Sequence, residues 1–370
     1  MMLSIVIVNY NTRELLRRCL ESIYGGANGT PFEIWVVDNH SRDDSVAMVR
    51  SLFPRVRVIE NPANVGFSRA NNLVVAQSRS DYVLLLNPDT LILADAIERT
   101  VKFMRTHPHV GIAGCKVLNR DGTLQLACRR SIPTPEVAFY RMTGLSRLFP
   151  RSRVMARYNM TYQNPDETQE VDAVSGAFLM IRRQVIEQIG LLDEQFFMYG
   201  EELDWCLRTK QAGWSVMYYP EAQIVHYKGQ STQYNSRRAA FEFYRAMVLF
   251  HRKHFAGVCS PALNLLIYAG ILCKASLALR QLVRPAASTA DRTVAPGPPS
   301  RTSAMGTPPP PSGVSFRSQP RAAVPQERIE PFETDSKSRI PITEAPAPGR
   351  KLDTARADRA IRSKLQTAPP

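Results

Sequence analysis

The stretch LLLNPDT, residues 84–90, joins an apolar run to a polar turn that contains a proline. With Asp81-Tyr82-Val83 before it, the run predicts a buried strand that ends at Asn87-Pro88-Asp89. The turn has two interpretations. It is either a plain turn, or it holds a carboxylate at the carboxyl end of a parallel strand, where α/β proteins bind ligands.

The flanking sequence alternates between strand and helix patterns over the first 115 residues or so. Short apolar runs predict strands at 3–8, 33–38, 56–60 and 81–86, and helical spacing predicts helices at 12–23, 41–52 and 68–77. Continuous apolar strands that alternate with helices are typical of a parallel sheet covered on both faces. We therefore expect an α/β fold, Rossmann-like, with a mostly parallel central sheet and flanking helices.

Strand and helix patterns no longer alternate regularly between residues 110 and 235. RDGT at 120–123 predicts a hairpin turn, and residues 172–181 predict a strand interrupted by a small Ser-Gly-Ala step. Helices are expected at 183–189 and 201–212, and two short strands at 215–219 and 223–227.

The C-terminal part carries a basic, aromatic helix pattern at 237–255 and an apolar segment at 261–283. The uninterrupted apolar core of that segment, residues 265–273, is too short to cross a bilayer, which takes about 20 residues. Flanking Lys274, Arg280 and Arg284 favour peripheral association with a membrane, and a core or oligomer helix is the alternative.

Three regions follow from this organisation. Residues 1–255 form the α/β domain, 256–284 an apolar and basic membrane-associating helix, and 285–370 a proline-rich tail. The tail lacks apolar runs, so it cannot bury a core, and we expect it to be disordered.

The composition indicates which binding partners and which cellular compartment to expect. A net charge of +14 suggests anionic partners, but no basic aromatic surface motif in the core supports nucleic-acid binding. The six cysteines form no C-x-x-C pair, and the pattern of the first residues predicts a strand and not a signal peptide. We therefore expect reduced thiols and a cytoplasmic protein, at the inner face of the cytoplasmic membrane.

Polar clusters follow four of the predicted strands, and together they are expected to line one ligand edge. Asp38 ends the second strand, where it can accept hydrogen bonds from a base or ribose, and Gly66 permits a close backbone approach. The other members of these clusters are Asn9, Tyr10, Asn11, Asn64, Arg69, Asn71, Asn87 and Asp89.

A second constellation is the acidic helix start YGEELD at 199–204, which follows an aromatic run. The helix dipole favours carboxylates there, so Glu201, Glu202 and Asp204 are candidates for acid–base chemistry. An ordinary acidic helix start is the alternative. His226 ends a later predicted strand and is a further candidate.

These motifs together resemble the family 2 glycosyltransferases, especially the rhamnosyltransferase-like branch. The resemblance covers about residues 3–255 and leaves out the tail. It is carried by IVIVNYN (5–11), VVDNHSRDDS (36–45), NVGFSRANN (64–72), LLLNPD (84–89), VSGAFLMIRR (174–183), FFMYGEELDWCLR (196–208) and IVHYKGQS (224–231).

The resemblance implies a GT-A fold, with a nucleotide-binding half joined to an acceptor-binding half. It implies that Asp38 contacts the nucleotide. It also implies that Asn87-Pro88-Asp89 corresponds to the D-x-D segment, which supports Mg²⁺ or Mn²⁺ on the donor diphosphate. Asp89 matches the final carboxylate and Asn87 replaces the first. His226 matches a histidine that binds metal or diphosphate, and such an ion would neutralise the leaving group.

For the base that takes the acceptor's proton, Glu202 aligns with the catalytic Asp of the family's E-D pair. Glu201 is the alternative, and Asp204 is expected to orient the site. Lys228 and Arg130 are weaker candidates for binding diphosphate, and Arg69 is a further candidate.

The sequence thus predicts a metal-dependent, inverting glycosyltransferase that moves a sugar such as rhamnose. The donor is a nucleoside-diphosphate sugar, and the acceptor is a cell-surface saccharide or a lipid-linked glycan. The alternative is a non-catalytic module that binds a nucleotide sugar or glycan and recruits partners through its tail.

Overall fold

A nine-stranded sheet lies at the centre of the protein, in the order β3-β2-β1-β4-β10-β6-β11-β5, with β8 pairing with β11. The computed structural model describes residues 2–26, 29–227 and 236–283. The predicted tail at 285–370 lies outside the described residues, as do Lys228 and Arg284. The strands are Leu3–Asn9 (β1), Phe32–Asp38 (β2), Arg57–Glu60 (β3), Tyr82–Leu86 (β4), Thr90–Ile92 (β5), Val110–Leu118 (β6), Arg129–Arg130 (β7), Gln169–Glu170 (β8), Ala173–Val174 (β9), Phe178–Arg182 (β10) and Ser215–His226 (β11).

Helices cover the sheet and extend beyond it at the C-terminal side. They are Arg13–Gly26 (α1), Ser45–Leu52 (α2), Phe67–Val75 (α3), Ala96–Thr106 (α4), Pro135–Thr143 (α5), Leu145–Leu148 (α6), Arg183–Ile189 (α7), Glu201–Gln211 (α8), Ser236–His254 (α9) and Pro261–Val283 (α10). The α/β fold with flanking helices, predicted from the alternating patterns, is confirmed.

The first four strands in sheet order run parallel, and their register sets the position of the site. Asn9 pairs with Asp38, and Ile7 pairs with Leu86 on the other side of β1. Both neighbours therefore bring their polar C-terminal residues to the same edge. All residues of β1 and β4 are buried, as expected for strands covered on both faces.

A second register places the C-terminal strand beside the turn quoted above. Strand β5 follows that turn at once and pairs antiparallel with β11, so that Thr90 lies opposite His226. The backbone N–H of Tyr227 donates to the carbonyl of Asp89 at 2.8 Å. Two segments that lie far apart in the chain thereby meet at one edge of the sheet.

Several elements differ from the sequence prediction. The two strands expected at 215–219 and 223–227 form one strand, β11, with an irregularity in its pairing with β6 between Tyr219 and Gln223. The strand expected at 172–181 breaks into β9 and β10, because β9 pairs with β7 while β10 enters the main sheet. The hairpin turn is confirmed: the N–H of Asn119 donates to the carbonyl of Thr123.

Helix α2 begins four residues later than predicted. Ser41, the first residue of the predicted helix, lies outside the observed helix. Its hydroxyl oxygen instead accepts hydrogen bonds from Nδ2 of Asn9 and from the backbone N–H of Asn11. Asp43 lies just before the helix, and its carboxylate accepts from the backbone N–H of Ser45 at 3.3 Å. The helices α5 and α6 were not predicted.

Helix α10 is longer than the apolar core predicted from the sequence. It is continuous over 23 residues, and Pro261–Arg280 is long and apolar enough, by length and composition, to cross a membrane. That observation alone is weak evidence for a membrane span. All six cysteines are free thiols.

Candidate active site

A cleft of about 1970 Å³ opens at the edge of the sheet where the polar strand ends meet. One wall comes from the strand ends, with Tyr10, Asn64 and the turn at Asn87-Pro88-Asp89. The other wall includes Glu201 and Glu202 from the first turn of α8. The structure therefore brings the predicted metal turn and the predicted acidic helix start into one cavity.

The turn at 87–89 is held from both sides. The N–H of Asn87 donates to the carbonyl of Ala177 at 3.1 Å, and the hydroxyl group of Thr90 donates back to the carbonyl of Asn87 at 2.8 Å. The side chain of Asp89 is almost buried, and its Oδ1 lies 3.1 Å from Nε2 of His226. A plain surface turn does not require a buried carboxylate, so the observation favours a ligand-binding turn.

His226 is oriented by a residue that the sequence did not single out. The Nδ1 atom of its ring lies 3.0 Å from Oε1 of Gln125, and the Nε2 of Gln125 donates to the carbonyl of His226 at 2.7 Å. Since the amide of Gln125 presents its oxygen to Nδ1, the N–H of the ring is on Nδ1. The lone pair of Nε2 in the neutral ring then faces the carboxylate of Asp89.

That pairing fits a divalent cation. Nε2 of His226 and Oδ1 of Asp89 lie 3.1 Å apart, and when the ring is neutral with its proton on Nδ1, a shared cation satisfies both atoms. The amide of Asn87 also reaches this point, with Nδ2 at 3.3 Å from Nε2 of His226. Within the described part of the chain, no cluster holds three or more His, Cys, Asp or Glu side chains that could bind a metal. A metal here would need diphosphate oxygens and water to complete its ligands.

Glu202 is held by an arginine from β7. Its Oε1 lies 2.7 Å from Nη2 of Arg130, and its Oε2 accepts from the N–H of Gly200 at 3.1 Å. The guanidinium also donates to the carbonyl of Val174 at 3.0 Å. Burial opposes the charge of Arg130, but the charge of Glu202 prevails and raises the pKa of the guanidinium. Glu202 is therefore fixed in direction within the cleft wall.

Glu201 lies beside Glu202 but in a different environment. Its side chain is buried, and its Oε2 has no hydrogen-bond partner among residues 2–26, 29–227 and 236–283. Burial, and then the charge of Glu202, raises the pKa of Glu201 well above its usual value. The ionised form of Glu201 is therefore disfavoured relative to that of a solvent-exposed carboxyl group.

Asp204 faces away from the cleft and joins α8 to α9. It is fully buried, and its Oδ1 lies 2.8 Å from Nε2 of His254 and 2.7 Å from Nζ of Lys253. Its Oδ2 lies 2.9 Å from Nε of Arg208. Burial alone would raise its pKa, but the bonds from His254 and Lys253 and the nearby cations outweigh burial and lower it to about 2. These contacts connect the helix that carries Glu201 and Glu202 to the end of α9.

The residues just before α8 adopt a conformation that aims its first turn. Tyr199 has φ 70° and Gly200 has φ 86°, both in the left-handed region. A non-glycine residue there costs of order 1 kcal/mol, and such conformations concentrate at functional sites. The turn allows the N–H of Gly200 to meet the carboxylate of Glu202.

The predicted nucleotide residues after β1 and β2 bind one another. The Nδ2 of Asn9 donates to Oδ1 of Asp38 at 2.9 Å, and Oδ2 of Asp38 accepts from the N–H of Ser41 at 2.8 Å. Asn11 accepts from the N–H of Arg42 through its side chain. Asp38 and Ser41 also line a smaller depression of about 360 Å³ next to the main cleft. These residues therefore shape the loops beside the cleft.

Gly66 supports the loop that carries the aromatic run. It has φ 90°, and a Cβ at this position would lie 2.5 Å from the carbonyl oxygen of Phe197. The N–H of Phe67 donates to the same carbonyl at 2.7 Å, and Asn64 accepts from the N–H of Gly66 at 3.0 Å. The start of α3 is thus joined to the segment that leads into α8.

Seven predicted residues do not line the cleft, namely Arg69, Asn71 and the residues described above as Asn9, Asn11, Asp38, Gly66 and Asp204. Arg69 is largely exposed on α3, and its Nε lies 4.0 Å from a carboxylate oxygen of Glu194. Asn71 is fully buried, and its Nδ2 donates to the carbonyl of Phe67 within the same helix. Sequence reasoning missed Gln125 and gave Arg130 little weight, because Gln125 lies outside the strands and Arg130 lies in a strand of only two residues.

Comparisons with known proteins identify the family of the chain. Residues 4–190 match Glycosyl transferase family 2. The N-acetylglucosaminyl-diphospho-decaprenol L-rhamnosyltransferase of Mycobacterium tuberculosis is 25% identical over 293 residues, which cover 76% of this chain and 94% of that protein. The rhamnosyltransferase WbbL of Escherichia coli is 25% identical over 61% of this chain and 83% of its own length.

A hexosyltransferase of low-salt glycan biosynthesis from Haloferax volcanii, Agl10, is 32% identical over 56% of this chain and 62% of its own length. Among solved structures, a mannosyltransferase from Pyrobaculum calidifontis in complex with GDP-Man and Mn²⁺ is similar over 75% of this chain and 72% of its own, with 16% identity and a TM-score of 0.48.

The chain belongs to glycosyl transferase family 2. It is a glycosyltransferase with the GT-A fold that the sequence motifs implied, and rhamnosyltransferases are among its relatives.

Proposed function

We propose that the protein is a metal-dependent, inverting glycosyltransferase that uses a nucleoside-diphosphate sugar. The observation that carries this proposal is the juxtaposition of Asp89 and His226 with Glu202 in one cleft. The first two residues suit a cation on a diphosphate, and the third suits a base. Rhamnose is the sugar we propose for transfer, since two relatives are named rhamnosyltransferases.

Asp89 and His226 would hold the cation, and Gln125 fixes the tautomer of His226 that makes Nε2 available. When bound, Mg²⁺ or Mn²⁺ supplies Lewis-acid stabilisation of the diphosphate that leaves. Asp38, Tyr10, Asn64 and the neighbouring loops would take the nucleotide beside it.

Glu202 acts as the base in the proposed reaction. The acceptor hydroxyl oxygen forms a bond to the anomeric carbon of the donor while the bond from that carbon to the diphosphate breaks. The hydroxyl proton passes to the Glu202 carboxylate, and the diphosphate leaves with the electron pair of the broken bond. Attack opposite to the leaving group inverts the anomeric centre.

Glu202 is favoured over Glu201 because only an unprotonated carboxylate can accept a proton. Burial and the charge of Glu202 raise the pKa of Glu201 and so disfavour its ionised form, whereas Glu202 is paired with the guanidinium of Arg130. Asp204 is also unsuited to touch substrate, since it is fully buried and bonded to three basic side chains. We propose that Asp204 positions α8.

The acceptor is proposed to be a saccharide, carried by a lipid, at the cytoplasmic face of the membrane. Helix α10 supplies the motivation, because its side chains line one side of the cleft and several of its leucines are exposed. The proposed division of the chain is a catalytic part up to residue 255, a membrane-associating part at 256–284 and a tail at 285–370.

One observation favours a second function, a non-catalytic module that binds a nucleotide sugar or glycan. Both carboxylate oxygens of Glu202 are engaged, one by Arg130 and one by the N–H of Gly200. A base must free one oxygen to meet the acceptor. If it cannot, donor binding would persist without turnover.

The test is the release of nucleoside diphosphate from a panel of dTDP-, UDP- and GDP-sugars, with membrane lipid extract as the acceptor source. Each donor is tried with Mn²⁺, with Mg²⁺ and with a chelator. Metal-dependent release from one donor, lost in Asp89→Ala, is the expected result. Donor binding without release under any condition would support the binding module, and absence of donor binding would overturn both functions.

A further inference from the structure

Residues 135–157, the arginine segment, border the cleft, and the proposed chemistry assigns a role to none of them. Arg141 and Arg147 lie in the cleft lining, and the other three arginines lie outside it. The segment contains α5, α6 and the turn after them, and it was not predicted as an element. Its five arginines are all exposed, and no Asp or Glu occurs in residues 137–165. The arginines are Arg141, Arg147, Arg151, Arg153 and Arg157.

These positive charges are not neutralised by the described part of the protein. No ion pair between any of the five arginines and a carboxylate occurs in residues 2–26, 29–227 and 236–283. Arg141 contacts the ring face of Tyr158. Unpaired surface charge of one sign attracts a surface of the opposite sign.

Large apolar side chains are exposed between these arginines. Phe139 is 57% exposed, Leu148 70%, Phe149 45% and Val154 53%. Exposed aromatic and aliphatic groups among arginines are typical of elements that lie in a membrane interface, where the arginines reach the headgroups.

Helix α10 presents a second exposed apolar surface. Most of its exposed residues recur at helical spacing and form one stripe, while Ile271 on another face is only 3% exposed. The stripe contains Ala262, Leu265, Leu266, Ala269, Leu272, Cys273, Ser276 and Leu277. An unpartnered apolar stripe of this length is unusual for a surface helix in water.

The two surfaces adjoin each other at the cleft. Lys274 of α10 donates a hydrogen bond to the carbonyl of Met142 in α5. Phe139 and Leu266, one from each surface, also line the cleft. A membrane that contacts α10 would therefore lie next to the arginine segment and to the mouth of the cleft.

We propose that the arginine segment docks the protein on an anionic phospholipid surface, together with the exposed stripe of α10. The proposal extends the membrane association that forms part of the proposed function from one helix to a two-part surface. The charge selects anionic lipid, since each Arg near such a surface contributes of order 1 kcal/mol. The two contacts would fix the cleft mouth against the bilayer.

The test is the binding of the full-length protein to vesicles of neutral phosphatidylcholine, or of phosphatidylcholine with phosphatidylglycerol, measured by co-sedimentation at about 0.1 M salt. No donor or acceptor is present, so the result does not depend on the proposed glycosyl transfer. The test variant is Arg147→Gln/Arg151→Gln/Arg153→Gln. Its control, Arg55→Gln/Arg79→Gln/Arg105→Gln, removes three exposed arginines near the opposite edge of the sheet.

We expect the wild type to prefer the anionic vesicles, and the test variant to bind them about 100-fold more weakly. The control should stay within about threefold of the wild type, because its charges lie more than a Debye length from the lipid. A second variant, Leu148→Ser/Phe149→Ser, should weaken binding about tenfold or more through lost apolar contact.

Equal binding of the test and control variants would overturn the proposal. Wild-type binding that does not distinguish the two kinds of vesicle would do the same. A third variant, Leu265→Ser/Leu272→Ser, separates the two surfaces. If it abolishes binding while the arginine variant binds normally, α10 alone contacts the membrane and the arginine segment does not.

Discussion

The guanidinium group of Arg130 lies 2.7 Å from the carboxylate of Glu202, and both side chains are nearly buried in the wall of the cleft. This contact links β7 to the first turn of α8 across 72 residues of sequence. It holds Glu202 in the cleft and distinguishes it from Glu201, which has no such partner among the described residues. The first prediction depends on that difference.

Glu202→Gln should abolish transfer while Glu201→Gln should not. An amide at position 202 cannot take the acceptor's proton, so kcat should fall about 10²- to 10⁴-fold. An amide at position 201 replaces a carboxyl group whose pKa is raised by burial and by the charge of Glu202, and to which we assign no proton transfer. The measurement is release of nucleoside diphosphate at neutral pH with both variants at equal folded concentration.

The two substitutions are matched in size and charge, so each controls the other. Donor affinity, measured by calorimetry, should be similar in both variants and in the wild type. A large loss of kcat in Glu201→Gln with normal turnover in Glu202→Gln would contradict the prediction and identify Glu201 as the base.

A second prediction concerns the support of His226 by Gln125. Gln125→Leu keeps the size but removes the partner of Nδ1, so the ring loses its fixed tautomer. Such partners typically change metal affinity about 10- to 100-fold. We expect the half-saturating Mn²⁺ concentration for donor binding to rise by at least about tenfold. Gln77→Leu, at an exposed position, is the control. An equal rise of the half-saturating Mn²⁺ concentration in the control would show that Gln125 does not support His226.

The gathering of the polar strand ends was predictable from the sequence, because parallel strands place their carboxyl ends at one edge. The strand register then determines which of these residues are neighbours: Asn9 pairs with Asp38, and Thr90 lies opposite His226. The aromatic and acidic run before Asp204 was also found from its pattern. These features are local, or they follow from strand order.

The contacts that orient the site were not predictable from periodicity. Gln125 lies outside the strands and Arg130 lies in the two-residue strand β7, and their partners are 101 and 72 residues away. Arg69 and Asn71 were assigned to the site because they follow a strand, but helical rotation on α3 turns both away from the cleft. A helix places each residue by its angle about the axis, and the spacing of residues from the preceding strand does not report that angle.

A third prediction uses the low pKa of Asp204. The pKa falls from 3.8 to about 2 in the folded protein, so the stability it contributes is present above 3.8 and is lost as the pH falls toward 2. Asp204→Asn should lower the free energy of unfolding by about 2 kcal/mol near pH 7, and by about half as much near pH 3. Urea unfolding at the two pH values measures this difference.

The control for Asp204→Asn is Asp95→Asn, at an exposed carboxylate paired with Arg99. Exposed ion pairs contribute little, so this variant should unfold like the wild type at both pH values. If the deficit of Asp204→Asn were the same at the two pH values, the ion pairs with Lys253 and His254 would not be its source.

The last prediction separates close approach from backbone conformation at Gly66. Both Gly66 and Gly122 have positive φ, at 90° and 82°, so alanine is strained at either position. Only at Gly66 would the new Cβ meet backbone, at 2.5 Å from the carbonyl oxygen of Phe197, whereas nothing in the described part of the chain lies within 4 Å at Gly122. Gly122→Ala should cost about 1 kcal/mol of unfolding free energy and Gly66→Ala about 2 kcal/mol more, since the loop before α8 must shift.

Chemical unfolding of both variants measures the difference, and equal costs would show that the contact between Gly66 and Phe197 is not tight. Because that loop leads to Glu202, Gly66→Ala should also reduce kcat, while Gly122→Ala should leave it unchanged.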